Sequence, residues 1–162
     1  MGVSKKRISV RAFVAGEFIP LDQVSDPRFS KKVLGDGFAL RPLDGRVKSP
    51  LEGEITLVFP PHHMIGMKTK EDLQILLHLG FNTVELGGRP FRSNVKVGDK
   101  VEVGDLLSTM DIEAIRSAEN VDITCALVFV NGTEKGAILE YEVFGRVKAG
   151  DIVCTVTLNE ES

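Results

Sequence analysis

Short stretches rich in Val, Ile and Leu, each ended by Gly, Asp or Pro, run through nearly the whole chain of 162 residues. This punctuation is typical of all-β proteins, because each cluster of turn residues ends one strand and allows the next to begin. We predict an all-β fold, an antiparallel β-sandwich or barrel-like architecture with one or two short helices. The predicted strands are 8–14, 37–43, 45–50, 53–59, 72–79, 83–86, 99–104, 106–111, 123–130, 137–143 and 152–158.

Only residues 111–120, DIEAIRSAEN, have a helical pattern. Asp111 can cap the start of this segment, and Ile112 and Ile115 fall on one side of it. No low-complexity linker divides the chain, and its length suits one domain. We therefore predict a single domain over residues 1–162, with about seven flexible residues at the N-terminus.

Three similar phrases, VKVGD (95–99), VEVGD (101–105) and VKAGD (147–151), each end in Gly-Asp. Gly tolerates positive φ and Asp can bond back to the backbone, so each phrase predicts a tight turn after a strand. Biotinyl and lipoyl carrier domains use a similar turn, but the Met-Lys-Met that carries their cofactor does not occur here. The repeat supports the β fold and not a swinging-arm function.

The composition, 43% hydrophobic and 27% charged, is that of an ordinary globular protein. A net charge of −3 with scattered Lys and Arg argues against a nucleic-acid partner. No apolar run approaches the roughly 20 residues that span a bilayer, and the basic N-terminus lacks the apolar core of a secretory signal. We predict a cytoplasmic protein without membrane insertion.

The two cysteines, Cys125 in ITCALVFV and Cys154 in DIVCTVTL, lie in strand-like settings. Isolated cysteines of this kind are more often small buried residues than disulfide partners or metal ligands. The chain also lacks the G-x-S-x-G signature of a serine nucleophile. We therefore expect both cysteines to be structural.

The histidines form the strongest chemical pattern in the chain. Two antiparallel strands joined through residues 64–77 would bring His63 and His78 side by side. A lone histidine on an apolar face is more often a satisfied structural residue than a catalyst. Two histidines together suggest zinc, but zinc sites usually have three or four protein ligands, and no third is well placed. Spacing alone leaves the structural and functional interpretations open.

Alternation along the predicted strand divides the neighbours of His78 into two sets. Leu76, His78 and Gly80 share one face. The opposite face is core and carries Ile75, Leu77 and Leu79.

Five blocks of sequence, in order along the chain, resemble one protein family. They are VLGDGFAL (33–40), VKSPLEGEITLVF (47–59), HMIGMKT (63–69), ILLHLGFNTVEL (75–86) and VKVGDKVEVGDLLSTMDIEAI (95–115). The chain resembles the glucose-class IIA component of the bacterial phosphoenolpyruvate-dependent sugar phosphotransferase system over nearly its whole length. An antiparallel β-sandwich is implied by this resemblance as well.

The resemblance implies a phosphocarrier with two catalytic histidines. His78 matches the histidine that accepts a phosphoryl group on Nε2 from the histidine-containing phosphocarrier protein and passes it to a cysteine of a sugar-specific IIB domain. His63 matches the second histidine of the site. Gly80, as carbonyl acceptor for Nδ1–H of His78, and Thr83 would support the site. No cofactor or metal is implied, except that both histidines can bind zinc together with a partner's carboxylate.

A docking surface for both partners is also implied. Apolar residues would exclude water during transfer, and acidic residues would steer basic partners. The implied docking residues are Phe29, Val33, Leu34, Phe59, Leu76, Val84, Asp26, Asp36 and Asn82.

The chain departs from the family pattern at the edge of this surface. Asn82 stands where the family usually has Asp, and Pro61 where a polar residue often bonds the second histidine. Arg28 replaces an aliphatic residue and, with Lys31 and Lys32, predicts a more basic rim. These changes predict altered docking, and they leave the nucleophile intact.

Two other function classes are compatible with these residues. One is a regulatory protein that uses the same face to control transporters or kinases, with phosphorylation as the switch. The other is a carrier or zinc-hydrolase β domain, which would need a modified lysine or a third metal ligand that the chain does not offer.

Overall fold

The computed structural model describes residues 4–59, 63–81, 91–117, 122–142 and 145–160. Nearly all regular structure in these ranges is β. The strands are β1 (Ser4–Arg11), β2 (Gly16–Pro20), β3 (Asp36–Pro42), β4 (Arg46–Lys48), β5 (Gly53–Phe59), β6 (Met64–Lys68), β7 (Gln74–Phe81), β8 (Phe91–Ser93), β9 (Lys100–Val101), β10 (Leu106–Met110), β11 (Asp122–Phe129), β12 (Ile138–Tyr141), β13 (Arg146–Val147) and β14 (Ile152–Glu160).

Two short helices, α1 (Pro27–Ser30) and α2 (Ile112–Ser117), and a 3-10 turn at Leu21–Gln23 complete the described elements. The predicted helix at 111–120 is confirmed where it is described. Helix α1 was not predicted. It begins with an N-cap, because the Asp26 carboxylate accepts a hydrogen bond from the Arg28 N–H and Pro27 takes the first helical position.

The strands form one large sheet and two small ones, and every described pairing is antiparallel. The large sheet has the order β13-β2-β3-β11-β7-β6-β5-β9, and the small ones have the orders β1-β14-β12 and β4-β10-β8. The predicted all-β antiparallel class is therefore confirmed. Strands β2, β6, β8 and β13 were not predicted, and the predicted strand at 83–86 lies outside the described residues.

The N-terminal segment joins a small sheet. Residues 4–7 belong to β1, where Ser4 pairs with Glu160 and Arg7 with Thr157 of β14, and the expected flexibility of the N-terminus stays a prediction. Because β14 offers these residues a row of backbone hydrogen-bonding groups, they continue the sheet.

Two apolar clusters lie on opposite faces of the large sheet. The main core takes Ile75, Leu77 and Leu79 from β7, as the alternation predicted. A second apolar cluster lies beneath the 3-10 turn and α1, with Leu76 packed against it. Its buried members are Leu21, Val24, Phe29, Ala39, Phe81, Ala126 and Val128. Strand β7 thus has a covered face on both sides, and His78 lies on the side of the second cluster.

Candidate active site

The two histidines meet where β6 and β7 pair. His78 lies opposite Met64 in the register, and the Leu79 N–H donates to the His63 carbonyl over 2.7 Å. Because this bond holds His63 at the start of β6, its ring reaches the ring of His78, with 5.3 Å between centroids and 74° between planes. The predicted juxtaposition of His63 and His78 is confirmed.

Aromatic rings enclose both imidazoles. Phe81 stacks on His78 with centroids 5.0 Å apart, and Phe29 approaches the same ring edge-on at 5.0 Å. Phe59 lies edge-on to His63 at 5.7 Å. Both histidines are buried as a result. The apolar walls remove water from the rings and fix their orientation.

The position of Phe81 shows where simple alternation along β7 fails. Strict alternation would place Phe81 with Leu79, in the main core. Instead Gly80 has φ of 75°, and the facing strand β11 has a register shift between Asp122 and Cys125. This bulge-like irregularity re-aims the chain, and Phe81 joins the second apolar cluster beside His78. Gly80 therefore determines one wall of the site through its backbone conformation.

The two ring nitrogens of each histidine differ in their surroundings. Among the described residues, the buried side-chain nitrogen or oxygen atoms without a hydrogen-bond partner are Nδ1 of His63 and Nδ1 of His78. The Gly80 backbone is close enough to favour a proton on His78 and raises its pKa, although Nδ1 has no partner within hydrogen-bonding geometry. The Nε2 atoms do not belong to this sealed set.

Burial makes both imidazoles weak bases. It lowers the pKa of His78 to about 4, with further lowering from the neighbouring His63 and from Arg28; Gly80 and Asp26 oppose the shift. Burial also lowers the pKa of His63. Both rings are therefore neutral near pH 7, and each keeps a nitrogen lone pair available for reaction.

We expect the stability of the folded chain to depend on His78 between about pH 6.5 and pH 4. The pKa of His78 falls from 6.5 to about 4 on folding, so the unfolded state binds more protons in this window. The free energy of unfolding is therefore highest above pH 6.5. It decreases by about 3 kcal/mol in total as the pH falls to about 4. Urea unfolding of wild type and His78→Gln across this range measures it, and equal slopes in the two proteins would contradict it.

The exposed part of the predicted docking surface contains Val33, Leu34 and Phe59, while Leu76 is half-buried. Phe29 is only 1% exposed. Its predicted role is corrected, because a ring packed between His78 and Phe81 forms a wall of the site and cannot offer surface to a partner. Asn82, Thr83, Val84 and Pro61 lie outside the described residues.

The described rim charges are largely paired, and the expectation of a more basic rim stays a prediction. The Arg28 guanidinium binds the Asp26 carboxylate at 2.7 Å, and the Lys32 ammonium lies 3.4 Å from Asp36. Two of the added cations are thus compensated by the two acids that were expected to steer partners. Lys31 remains as an exposed cation on the same helix end.

We expect Phe29→Ala to change both the stability of the chain and the acidity of His78. Losing this buried ring should lower the free energy of unfolding by about 3–5 kcal/mol. Water entering beside the imidazole should also raise the pKa of His78 back towards 6.5, followed by NMR titration of its ring protons. Phe13→Ala is the matched control, because Phe13 is buried in the main core. Equal pKa changes in both variants would refute the wall role of Phe29.

The sequence carried a signal for part of what was missed. Asp26 followed by Pro27 is a helix-start pattern, and it predicts that the chain turns there and places Phe29 over the sheet. Phe81 had no such signal, because alternation assigns it to the other face.

The two cysteines show no sign of reactivity. Cys125 and Cys154 are buried free thiols, as predicted, and burial raises the pKa of each to about 12. In the described ranges, three or more His, Cys, Asp or Glu side chains do not converge in a way that could hold a metal ion. Nor does any helix described here have the length and apolar character to cross a membrane.

Known proteins are similar to this chain in sequence and fold. Residues 8–135 match the family described as phosphoenolpyruvate-dependent sugar phosphotransferase system, EIIA 1. The glucose-specific EIIA component of Halalkalibacterium halodurans is 40% identical over 136 residues, which are 84% of this chain and 78% of that protein. A glucose-specific EIIA component of Staphylococcus aureus is 35% identical over 156 residues, 96% of this chain and 93% of that protein.

A fused relative and a solved structure extend the comparison. The glucose-specific EIICBA component of Streptococcus pneumoniae is 40% identical over 143 residues, which are 88% of this chain but only 19% of that longer protein. The solved structure of glucose permease IIA from Mycoplasma capricolum superposes with a TM-score of 0.85 at 36% identity, covering 93% of this chain and 96% of that one. On these matches and on the fold, the chain belongs to the glucose-class IIA family of the sugar phosphotransferase system.

Proposed function

We propose that this protein carries a phosphoryl group on Nε2 of His78, between the histidine-containing phosphocarrier protein and a cysteine of a sugar-specific IIB domain, in the cytoplasm. The observation that carries the proposal is the state of His78: its ring is buried against His63 and neutral near pH 7, and Nδ1 is buried without a partner, which leaves Nε2 as the nitrogen to react. A neutral imidazole with one available nitrogen is a competent nucleophile.

Acceptance exchanges one phosphorus–nitrogen bond for another. The Nε2 lone pair of His78 attacks the phosphorus of the partner's phosphohistidine, a new P–N bond forms, and the old P–N bond breaks with its electrons returning to the partner's imidazole. Positioning and charge stabilisation provide most of the catalysis in such transfers. The aromatic walls of Phe29 and Phe81 hold the attacking ring in place.

Donation reverses the role of His78. A cysteine thiolate of the IIB domain attacks the phosphorus, an S–P bond forms, and the P–N bond breaks with its electrons returning to Nε2. His63, whose ring centroid lies 5.3 Å from that of His78, would donate a hydrogen bond to a phosphoryl oxygen during this step. Its donor nitrogen would be Nε2–H, since its Nδ1 is buried without a partner.

Fusion in a relative supports the second partner. The Streptococcus pneumoniae protein that contains a matching segment is a glucose-specific EIICBA component, so IIA and IIB regions belong to one chain there. We propose that Val33, Leu34 and Phe59 form the exposed apolar part of the surface on which both partners dock.

The test of the proposed function is phosphorylation of the wild-type chain by enzyme I, the histidine-containing phosphocarrier protein and phosphoenolpyruvate. Intact mass should increase by about 80 Da, one phosphoryl group, and the adduct should be lost in acid because phosphohistidine is acid-labile. Adding a purified IIB domain should then remove it. Absence of the adduct, with the phosphocarrier protein itself phosphorylated in the same mixture, would refute the proposal.

A further inference from the structure

An ion pair between Asp26 and Arg28 lies at the start of α1. The Arg28 guanidinium grips the Asp26 carboxylate from two sides, with Nη2 at 2.7 Å from Oδ2 and Nε at 3.1 Å from Oδ1. The next residue, Phe29, puts its ring 5.0 Å from the ring of His78. Helix α1 and its cap therefore carry both the ion pair and the ring that walls the reacting histidine.

The charges of Arg28 and Asp26 both affect the pKa of His78. Arg28 lowers the pKa of His78 and Asp26 raises it, so the two effects oppose each other while the pair is closed. His78 in turn acts on Asp26, whose pKa is lowered chiefly by its hydrogen bonds with Arg28. The pair and the imidazole belong to one electrostatic unit.

The side chains of Asp26 and Arg28 differ in their freedom to move. The Asp26 side chain is 17% exposed and also caps α1 through the Arg28 N–H, whereas the Arg28 side chain is 65% exposed. A long exposed side chain can rotate without repacking the core, but the capping carboxylate is tied to the helix. Any rearrangement of the pair will therefore be a movement of Arg28.

We propose that Arg28 is a further catalytic residue, whose guanidinium leaves Asp26 and donates hydrogen bonds to the oxygens of the phosphoryl group on His78. This inference rests on the proposed function. A phosphoryl group carries about −1.5 to −2 charges near neutral pH, more than the single charge of Asp26, and guanidinium matches its oxygens in geometry. Without a phosphoryl group on His78, the guanidinium stays hydrogen-bonded to Asp26. The exchange makes and breaks no covalent bond.

The experiment uses a phosphoryl donor that needs no protein partner. The full chain is phosphorylated with phosphoramidate, labelling of His78 is verified by peptide mass, and ³¹P NMR follows the ionisation of the phosphoryl group against pH. Arg28→Met should strengthen proton binding by the phosphoryl group about three- to tenfold, because a nearby cation is removed. Asp26→Asn should weaken it by releasing Arg28, and Asn preserves the helix cap. A pair that stays closed would also give opposite signs through space, so the deciding readout is a through-hydrogen-bond NMR coupling between the phosphorus and the guanidinium nitrogens of Arg28, which requires direct contact.

The chain contains a matched control pair. Asp44 and Arg46 repeat the same geometry before β4, with Nη2 of Arg46 at 2.8 Å from Oδ2 and the Arg46 N–H capped by the same carboxylate at 2.8 Å. The causes that shift the pKa of His78 include Arg28 and Asp26 but neither Asp44 nor Arg46. Arg46→Met should therefore leave the phosphoryl ionisation unchanged.

The outcomes separate this inference from the proposed function. Equal ionisation in wild type and Arg28→Met, or shifts of the same sign in Arg28→Met and Asp26→Asn, would overturn the role of Arg28 even if the phosphocarrier protein labels His78. Opposite shifts together with the coupling to Arg28, after labelling with phosphoramidate, would support it even if that protein does not label the chain, and opposite shifts without the coupling would overturn it. No labelling of His78 by either donor would overturn both proposals.

Discussion

His78→Ala should abolish phosphoryl acceptance. The side chain that attacks phosphorus is removed, and the phenyl walls that remain offer no nucleophile. Loss of a nucleophile usually costs several orders of magnitude, so we expect the rate of adduct formation from the phosphocarrier protein to fall at least about 10⁴-fold. Intact mass measured over a time course, at neutral pH, gives this rate directly.

Two further variants make the result specific to His78. His78→Gln keeps a polar side chain of similar length and should be equally inactive, which separates chemistry from a cavity in the site. Cys125→Ser should still accept phosphate, because that thiol is buried and its pKa is raised to about 12. An adduct of normal yield on His78→Ala would move the nucleophile elsewhere in the chain and end the present assignment.

His63→Ala should spare acceptance and impair donation. The phosphohistidine should form, because the nucleophile and both aromatic walls of His78 remain in place. Transfer from it to the cysteine of the IIB domain should be about 10²- to 10³-fold slower, because a donor aimed at the developing charge has been removed. Rapid-quench mixing of the isolated phosphoprotein with the IIB domain measures this step alone.

His63→Gln distinguishes hydrogen bonding from charge in the same step. Gln retains an N–H donor but cannot become a cation, so partial recovery relative to Ala would assign that part to hydrogen bonding. We expect such recovery, because burial lowers the pKa of His63 and keeps the ring neutral near pH 7 before phosphate arrives. If His63→Ala blocks acceptance and leaves donation unchanged, the division of labour between the two histidines is wrong.

Strands with clear local punctuation were predictable from the sequence. Residues 53–59 were predicted and observed with the same bounds, because the pattern of β-forming residues begins after Gly53 and ends before Pro60. Strand β6 was not predicted, since MIGMK is short and has glycine at its centre. It forms because β5 and β7 pair with it on both sides. Glycine also fits at position 66, where a Cβ would come within 3.0 Å of Leu57. The energy of this pairing comes from tertiary contacts, which the local sequence does not show.

The candidate site also combines features that were predictable from the sequence with features that were not. The short spacing between His63 and His78 allowed their meeting to be predicted, but the pairing of β6 with β7 that holds them together forms only in the folded sheet. The ion pairs of Asp26 and Asp36 were not predictable from composition, because a count of charged residues does not say which of them touch. Pairing leaves the net charge of the rim unchanged and decides only which charged groups already have a partner.

By itself the sequence determined the all-β class, the core face of β7, the pair of histidines and the family. Each of these depends on periodicity, turn chemistry or the order of short motifs, which can be read along the chain without its fold. Only the tertiary structure decided that Phe29 and Phe81 enclose His78, that the pKa of His78 falls to about 4, and that Arg28 is held by Asp26. Desolvation and ion pairing sum over neighbours distant in sequence, and these neighbours are brought together only by the folded sheet.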